Sequence, residues 1–577
     1  MSDRMRVIPF DRLVNWIFAE YRQEKAVFGI PVKNFFQESP EKNLTFCGEK
    51  LSSPLGPAAG PHTQLAQNLA AAYLTGGRFF ELKTVQVLDR LSFPKPCINA
   101  EDECYNTEWS TELSIEEAFA EYVKGWFLLH VLSRELFELD HRSFIFNMSV
   151  GYDLEGIKSA KVDHFIEGLK DASSTAVFAE CKAVLKDELG RFKSIDEGYI
   201  DSISPAICHS TALSTMHGCP HAEIEAICKY LMFEKQLHTH VKLNPTLLGY
   251  EYVRDTLDKM GYSYIRLLEK SFADDLSYED AVLLLEGLLV LAVAARREFG
   301  VKLSNTLPVK ITRGELVGEQ MYMSGKPLYA LTINLAYKLA AEFDGKLKIS
   351  YSGGADRNNI AKIIETGIQP VTVATTLLKP GGYSRLKQLA EIIEPVLDRD
   401  FAVIDLSKLK KIAGESLTEP AYHKKTKSGG GAKKATPLPL FDCNAACKIC
   451  VAVCPNRANI RVQVEDVEGS GLKFDHQILH LDGMCNECGN CATFCPYGGR
   501  PYRDKLTLFR NEEDLADSQN NGFLLIGESS KEIIKIRMEG EIVELSLGGP
   551  EKAAGLGADP AVLSMFSSVC KNYQYLF

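Results

Sequence analysis

The stretch Thr239-His240-Val241-Lys242-Leu243-Asn244-Pro245 reads as a short strand with alternating apolar positions, a lysine near its end and an Asn-Pro stop. Strand-like runs of the same kind lie at 79–85, 144–150, 301–305, 347–351 and 371–375. Between them run amphipathic helical stretches such as 221–234 and 326–343. Such alternation implies parallel strands joined by crossover helices. Polar residues gather where the strands end, which is where a (β/α)8 barrel places its active site. A doubly wound sheet would alternate in the same way, but no strand is followed by G-x-G-x-x-G. The expected fold class is α/β, a (β/α)8 TIM barrel.

The chain has 577 residues, enough for two or three domains, with an ordinary globular composition of 45% hydrophobic and 24% charged residues. A net charge of −11 argues against nucleic acid as a partner. The most apolar run, 281–295, contains Glu286 and is too short to span a bilayer; it suits a helix packed on a sheet. Residues 1–10 lack the apolar core of a signal peptide. A cytoplasmic protein without membrane contact is expected.

Two cysteine runs each end in Cys-Pro: Cys443, Cys447, Cys450, Cys454 with Pro455, and Cys485, Cys488, Cys491, Cys495 with Pro496. In bacterial two-cluster ferredoxins three close thiolates hold one cluster while the fourth, before proline, ligates the other. The second run has that spacing; the first opens with three intervening residues instead of two. Zinc is the rival ligand for close cysteines, but the repeated Cys-Pro ending favours two [4Fe–4S] clusters, which suit a reducing compartment. The expected organisation is a barrel over 1–415 with a helical extension at 1–45, and a flexible Lys/Gly/Ser/Pro linker at 416–440. A C-terminal bacterial-type two-cluster ferredoxin domain follows at 441–510, then a tail at 511–577 suited to docking a partner.

Several strand ends carry chemistry. Leu55-Gly56-Pro57-Ala58-Ala59-Gly60 is small enough for a flat ring to approach backbone, or for a tight turn. Lys83 in Glu81-Leu82-Lys83-Thr84 follows a buried strand and needs a partner. Ser352-Gly353-Gly354-Ala355 and Ala374-Thr375-Thr376 sit where barrels bind phosphate. Cys219, in Thr215-Met216-His217-Gly218-Cys219-Pro220-His221, is either a small buried thiol or an acid/base. His209, His217 and His221 are read as polar lining near it.

These strand ends, over roughly 45–400, resemble the dihydroorotate dehydrogenase family, and within it the pyrimidine-reducing domain of dihydropyrimidine dehydrogenase. The chain is also similar to selenate reductase subunits associated with bacterial purine catabolism. The resemblance implies FMN, lined by Ala58, Ala59, Gly60, Lys83, Thr84 and Asn147, with Lys242 supporting negative charge on the reduced ring. It implies that Gly353, Gly354, Thr375 and Thr376 surround the flavin phosphate, that Ser324 and Gly325 touch either that phosphate or the substrate, and that Cys219 exchanges a proton with a substrate carbon. Asn106 and Glu108, in Cys104-Tyr105-Asn106-Thr107-Glu108, and Asn305 with Thr306, would face a heterocyclic ring. Met216 stands where the family has a substrate-binding asparagine and Gly218 where it has serine, so the ring is not read as uracil is.

Two functions stay open. One is an iron–sulfur flavoprotein that reduces a planar oxo-heterocycle, with electrons arriving from a separate FAD/NAD(P)H-binding flavoprotein. The other is an electron relay between such a flavoprotein and a molybdenum hydroxylase or other reductase, with no turnover in the barrel.

Overall fold

The structure is a computed structural model that describes residues 4–38, 44–214, 217–397, 403–425, 438–443, 447–465, 467–526, 533–546 and 559–577. They form two compact units. One comprises Lys33–Leu377 and Tyr383–Thr426; the other comprises Met1–Val32, Leu378–Gly382 and Lys427–Phe577.

The first unit is built on β1 (Leu55–Pro57), β2 (Phe79–Glu81), β3 (Ile145–Val150), β4 (Cys208–Leu213), β5 (His238–Leu243), β6 (Phe299–Leu303), β7 (Lys348–Tyr351) and β8 (Val371–Val373). They hydrogen-bond in the order β1-β8-β7-β6-β5-β4-β3-β2, every pair parallel. β2 and β3 are buried at every position, as strands covered by helices must be. Between β1 and β2 the ring is joined by the Arg78 N–H, which donates to the Leu55 carbonyl at 2.8 Å. The buried Arg78 guanidinium pairs with Glu38 and donates to the carbonyls of Tyr73 and Gly77 at 2.8 and 2.7 Å. This is a TIM barrel.

Two additions shape its ends. A hairpin, Leu44–Phe46 with Glu49–Leu51, sets Phe46 against Phe79 and His240, with ring centres 4.8 and 5.0 Å apart. A four-stranded antiparallel sheet joins Ile98–Asn99 and Cys104–Asn106, from the loop after β2, to Leu307–Lys310 and Gln320–Ser324, from the loop after β6. It pairs Tyr322 with Asn106 and Ser324 with Cys104, gathering residues more than two hundred positions apart.

In the second unit, a six-stranded mixed sheet runs through Asn459–Gln463, His476–Leu481, Thr507–Leu508, Gly522–Ile526, Ile533–Met538 and Glu541–Ser546. Three sequence boundaries change. The extension expected to belong with the barrel does so only from Lys33; up to Val32 it folds here instead, where Trp16 of helix Phe10–Glu24 packs on Phe28 and Tyr575, and Arg6 pairs with Asp514 at 2.7 Å. The segment after 510 is no loose tail, because its strands continue the sheet and Phe566 of helix Pro560–Asn572 packs on Phe523. The linker starts later than 416, since Tyr422 is buried, its carbonyl accepts from Tyr262 Oη at 2.8 Å, and Lys424 pairs with Glu103. Residues 426–437, the heart of the expected linker, lie outside the described residues. Among the described residues no helix is long and apolar enough to cross a membrane.

A Cβ on Gly56 would stand 1.6 Å from the Phe79 carbonyl oxygen. Gly56→Ala must therefore push β1 and β2 apart, and we expect a loss of about 3 kcal/mol, read as a lower urea midpoint.

Candidate functional site

Glu81, the last residue of β2, is fully buried between two lysines. Its Oε2 accepts from Lys302 Nζ at 2.8 Å and its Oε1 faces Lys242 Nζ at 3.3 Å. Lys302 also donates to Thr372 Oγ1 at 2.6 Å. Burial pushes the Glu81 carboxyl up, but the two lysines overcome it and hold the group at about 2. Burial lowers the Lys302 ammonium and Glu81 opposes that shift, so the carboxylate and Lys302 are matched to each other with Lys242 beside them. Lys242, with 10% of its side chain exposed against 2% for Lys302, is the one that opens toward the barrel mouth.

Lys83 finds the partner its burial demanded: Glu108 Oε2 accepts from its Nζ at 2.8 Å. Cys97 Sγ lies 3.3 Å from the other Glu108 oxygen, and Lys95 Nζ lies 3.7 Å from that sulfur. Glu108, expected to face a ring, thus has both oxygens engaged and serves first to hold Lys83. Burial raises its carboxyl, and Lys83 and Lys95 more than reverse that. Thr84 shares a hydrogen bond with Ser149 at 2.8 Å, and Ser210 donates to Asn147 Oδ1 at 2.7 Å. The Ala58 N–H donates to the Val373 carbonyl at 3.0 Å, which fixes the Ala58-Ala59-Gly60 turn.

The loop that carries Cys219 is anchored by a residue that sequence reasoning passed over. Asp275 accepts from the Gly218 N–H at 2.7 Å, Thr246 Oγ1 at 2.7 Å and Asn244 Nδ2 at 3.0 Å, and lies 3.0 Å from His217 Nδ1. Asn305 Nδ2 donates to Asn244 Oδ1 at 2.7 Å, tying the end of β6 to the same cluster. Thr306 follows it, half-buried. The His217 ring lies parallel to Tyr322, at 12° and 6.3 Å. Cys219 borders a cavity of about 570 Å³ together with His217, Tyr152, Asp153 and Glu223, and a small gap together with Lys242, Asn244 and Asp275. Burial, then Glu223 and Asp153, push its thiol up to about 11. Thr215 and Met216 lie outside the described residues. His209 does not join this group. It sits at the start of β4, 3.9 Å from Glu49, while the Cys219 loop follows the other end of that strand.

The segments expected around a phosphate converge. Ser324 Oγ lies 2.8 Å from Thr375 Oγ1 and donates to the Cys104 carbonyl at 3.2 Å. Gly325 and Gly354 have φ of +80° and +72°, and a Cβ on Gly354 would stand 2.4 Å from the Gly325 carbonyl oxygen. On Gly353 it would stand 2.2 Å from Thr332 Oγ1. Thr376 Oγ1 donates to the Ala355 carbonyl at 2.8 Å. Hydroxyls and bare backbone of this kind suit a phosphate.

In the second unit the eight cysteines sort into crossed groups. Cys450 interacts electrostatically with Cys443, Cys447 and Cys495, and Cys485 and Cys491 interact with Cys454 and Cys488, while Cys491 also interacts with Cys450. Backbone N–H groups of Ala458 and Glu487 point at the sulfurs of Cys454 and Cys485, each at 3.2 Å. Elsewhere, Cys47, His238 and Glu298 bring ligand-type atoms within 4.8 Å of one another at the start of β5 and β6. There the Glu298 N–H already occupies His238 Nδ1 at 2.8 Å and Lys348 pairs with Glu298, so both groups are committed.

The family described as "Oxidoreductase YgfK, N-terminal TIM-barrel domain" matches residues 28–424. The chain belongs to the YgfK oxidoreductase family. The Escherichia coli (strain K12) protein provisionally named oxidoreductase YgfK is 48% identical over 472 residues, which cover 80% of this chain and 46% of that protein. Its namesake from Escherichia coli O157:H7 aligns equally well. The chain thus spans about half the length of the curated relatives it matches. A ligand-free dihydroorotate dehydrogenase from Eimeria tenella aligns at 14% identity over 69% of this chain and 97% of its own, with a TM-score of 0.38.

In this YgfK-family barrel, Glu81→Gln would strand two buried lysines and cost about 3–5 kcal/mol at pH 7. The wild-type carboxyl is depressed from 4.5 to about 2 on folding. Its contribution is therefore complete above the unfolded value and is lost as pH falls toward 2. Denaturation midpoints between pH 7 and 2 should show that acid limb in the wild type and a flatter one in Glu81→Gln.

Proposed function

We propose that this YgfK-family chain is an iron–sulfur flavoprotein oxidoreductase that reduces a C=C or C=N bond of a planar oxo-heterocycle, pyrimidine-like or oxopurine-like. The observation that carries the reading is that Cys219 and Lys242 border one gap, with Asp275 anchoring the loop between them. FMN and two [4Fe–4S] clusters would supply hydride transfer and single-electron transfer, respectively.

The residues present suit both groups. Ser324, Gly325, Gly353, Gly354, Thr375 and Thr376 would hold the flavin phosphate, and Lys242 offers a fixed cation where the reduced ring carries negative charge. Two crossed sets of four thiols, with N–H groups directed at sulfur, match the ligand pattern of two clusters. Cys219 then acts as the acid. A thiol at about 11 keeps its proton at neutral pH, so it is poised to donate to a ring carbon rather than to abstract from one. Asn106, Asn305 and Thr306 offer amides and a hydroxyl to the polar edge of the ring, and Glu108 keeps Lys83 in place. Electrons would come from a flavoprotein that oxidises NAD(P)H.

Anaerobic reduction with dithionite, followed by uracil, xanthine, urate and other oxopurines, should show reoxidation by one class of ring. Cys219→Ser is expected to slow that step by about 10²- to 10⁴-fold with its spectrum unchanged. The wild-type rate should be flat at neutral pH and fall as pH approaches 11, where the acid form is lost. Rapid reoxidation by a protein partner and by no ring would instead establish the relay. For the clusters, we expect about eight irons per chain. Cys454→Ser should perturb the cluster of Cys485, Cys488 and Cys491 and leave the other cluster's electron paramagnetic resonance signal in place; stoichiometric zinc would overturn the assignment.

A further inference from the structure

Given the reading of the Cys219 site above, we propose that His217, turned by Asp275, accepts a hydrogen bond from a ring N–H through Nε2. The substrate is then a lactam-type heterocycle whose N–H on that edge is unsubstituted, and rings alkylated at that nitrogen are refused.

The tautomer of His217 follows from its partners. Nδ1 lies 3.0 Å from Asp275 Oδ2 and 3.2 Å from Asn244 Nδ2. Burial raises the Asp275 carboxyl, but His217, Thr246 and the Gly218 N–H more than reverse that, so the group is a carboxylate. A carboxylate only accepts, so Nδ1 carries the hydrogen, and Asn244 Nδ2 donates to Asp275 Oδ2 at 3.0 Å. In the neutral ring Nε2 is then the acceptor. Among the described residues nothing hydrogen-bonds it. The ring itself is fixed, by Asp275 at its edge and by Tyr322, parallel within 12°, along its face.

The surroundings belong to the ring site. His217 and Cys219 border the same cavity of about 570 Å³, and Gly218 between them turns the chain with a φ of +80°. Tyr322 is the register partner of Asn106, and Asn244 accepts from Asn305 Nδ2 at 2.7 Å. The two asparagines expected to face the ring are thus each one contact removed from His217. The other charged groups on the cavity have different duties. Asp153 accepts from the Gly156 N–H and Glu223 from the Leu154 N–H, both at 2.7 Å, while Lys158 pairs with Glu234 at 3.6 Å and Glu155 is exposed.

A cysteine, a histidine and an aspartate together also suggest a thiolate nucleophile, in which Nε2 would take the thiol proton. Burial, then Glu223 and Asp153, push the Cys219 thiol up to about 11, so it keeps its proton at neutral pH. Nε2 is left to the ring. A polar group built to pair with a substrate N–H discriminates strongly, because the analogue that lacks it leaves the protein acceptor unpaired.

Calorimetric binding to the full chain, without turnover, tests this with uracil and xanthine beside their N-methyl isomers. The ring that binds should lose about 10²-fold or more in affinity when one nitrogen is methylated, and far less when the others are. In His217→Ala the parent ring should weaken roughly three- to tenfold, while that methyl isomer holds or gains, so the discrimination collapses. Equal weakening of both rings overturns the proposal, as does a variant whose discrimination is intact. A wild type that binds every methyl isomer as well as the parent, or that binds none of these rings, overturns it with no variant needed. Discrimination that depends on His217 in a protein no ring reoxidises would remove the reductase reading and leave the recognition standing. Ring reduction that ignores methylation would do the reverse.

Discussion

The barrel mouth is organised around one buried carboxylate. Glu81 sits where burial alone would neutralise it, and Lys242 and Lys302 keep it ionised. The arrangement works in both directions, because each lysine is tolerable inside a barrel only while the carboxylate is charged. Glu81 ends β2, Lys242 and Lys302 are register partners on β5 and β6, and Thr372 lies on β8. Four strands are thereby fixed in rotation around the barrel axis by charge as well as by ladder hydrogen bonds. Lys242 is then held at the mouth as a consequence of the packing.

Asp275 does for the loops what Glu81 does for the strands. It reaches one backbone N–H on the Cys219 loop and two side chains at the end of β5, and through Asn244 it reaches Asn305 at the end of β6. The thiol is therefore carried by a loop whose position is set by the barrel. The antiparallel sheet over the mouth adds a second constraint by joining the insertions after β2 and β6, so that Asn106, Tyr322 and Ser324 move together with the strand ends.

Much of this could be read from the chain. β2, β3 and β5 to β8 announce themselves through short apolar runs. β4 escaped because Cys208-His209-Ser210-Thr211-Ala212-Leu213 is polar in composition, yet five of its six positions are buried. The mouth sheet escaped because its strands pair across two insertions, and no local pattern records such a pairing. Lys83 told of a missing partner without naming Glu108. Asp275, ahead of helix Tyr278–Ala295, carried no motif at all; only the three-dimensional return of that loop beneath Gly218 gives it a role. His209 was misplaced because closeness in sequence was taken for closeness in space, although an extended strand of six residues separates its ends by roughly 16 Å.

The allegiance of the N-terminal helix has a consequence for how the protein is made. Trp16 of helix Phe10–Glu24 packs on Tyr575 and the Phe28 carbonyl just after the helix accepts from Arg457, so a segment made before the barrel belongs with residues made after it. At about 5–20 residues per second, its partners emerge tens of seconds later. During that interval the barrel residues can fold, while Leu13, Val14, Trp16 and Ile17 wait with an uncovered apolar stripe. A window of exposure to aggregation therefore falls within synthesis itself, and it closes only when the residues around Tyr575 have been made.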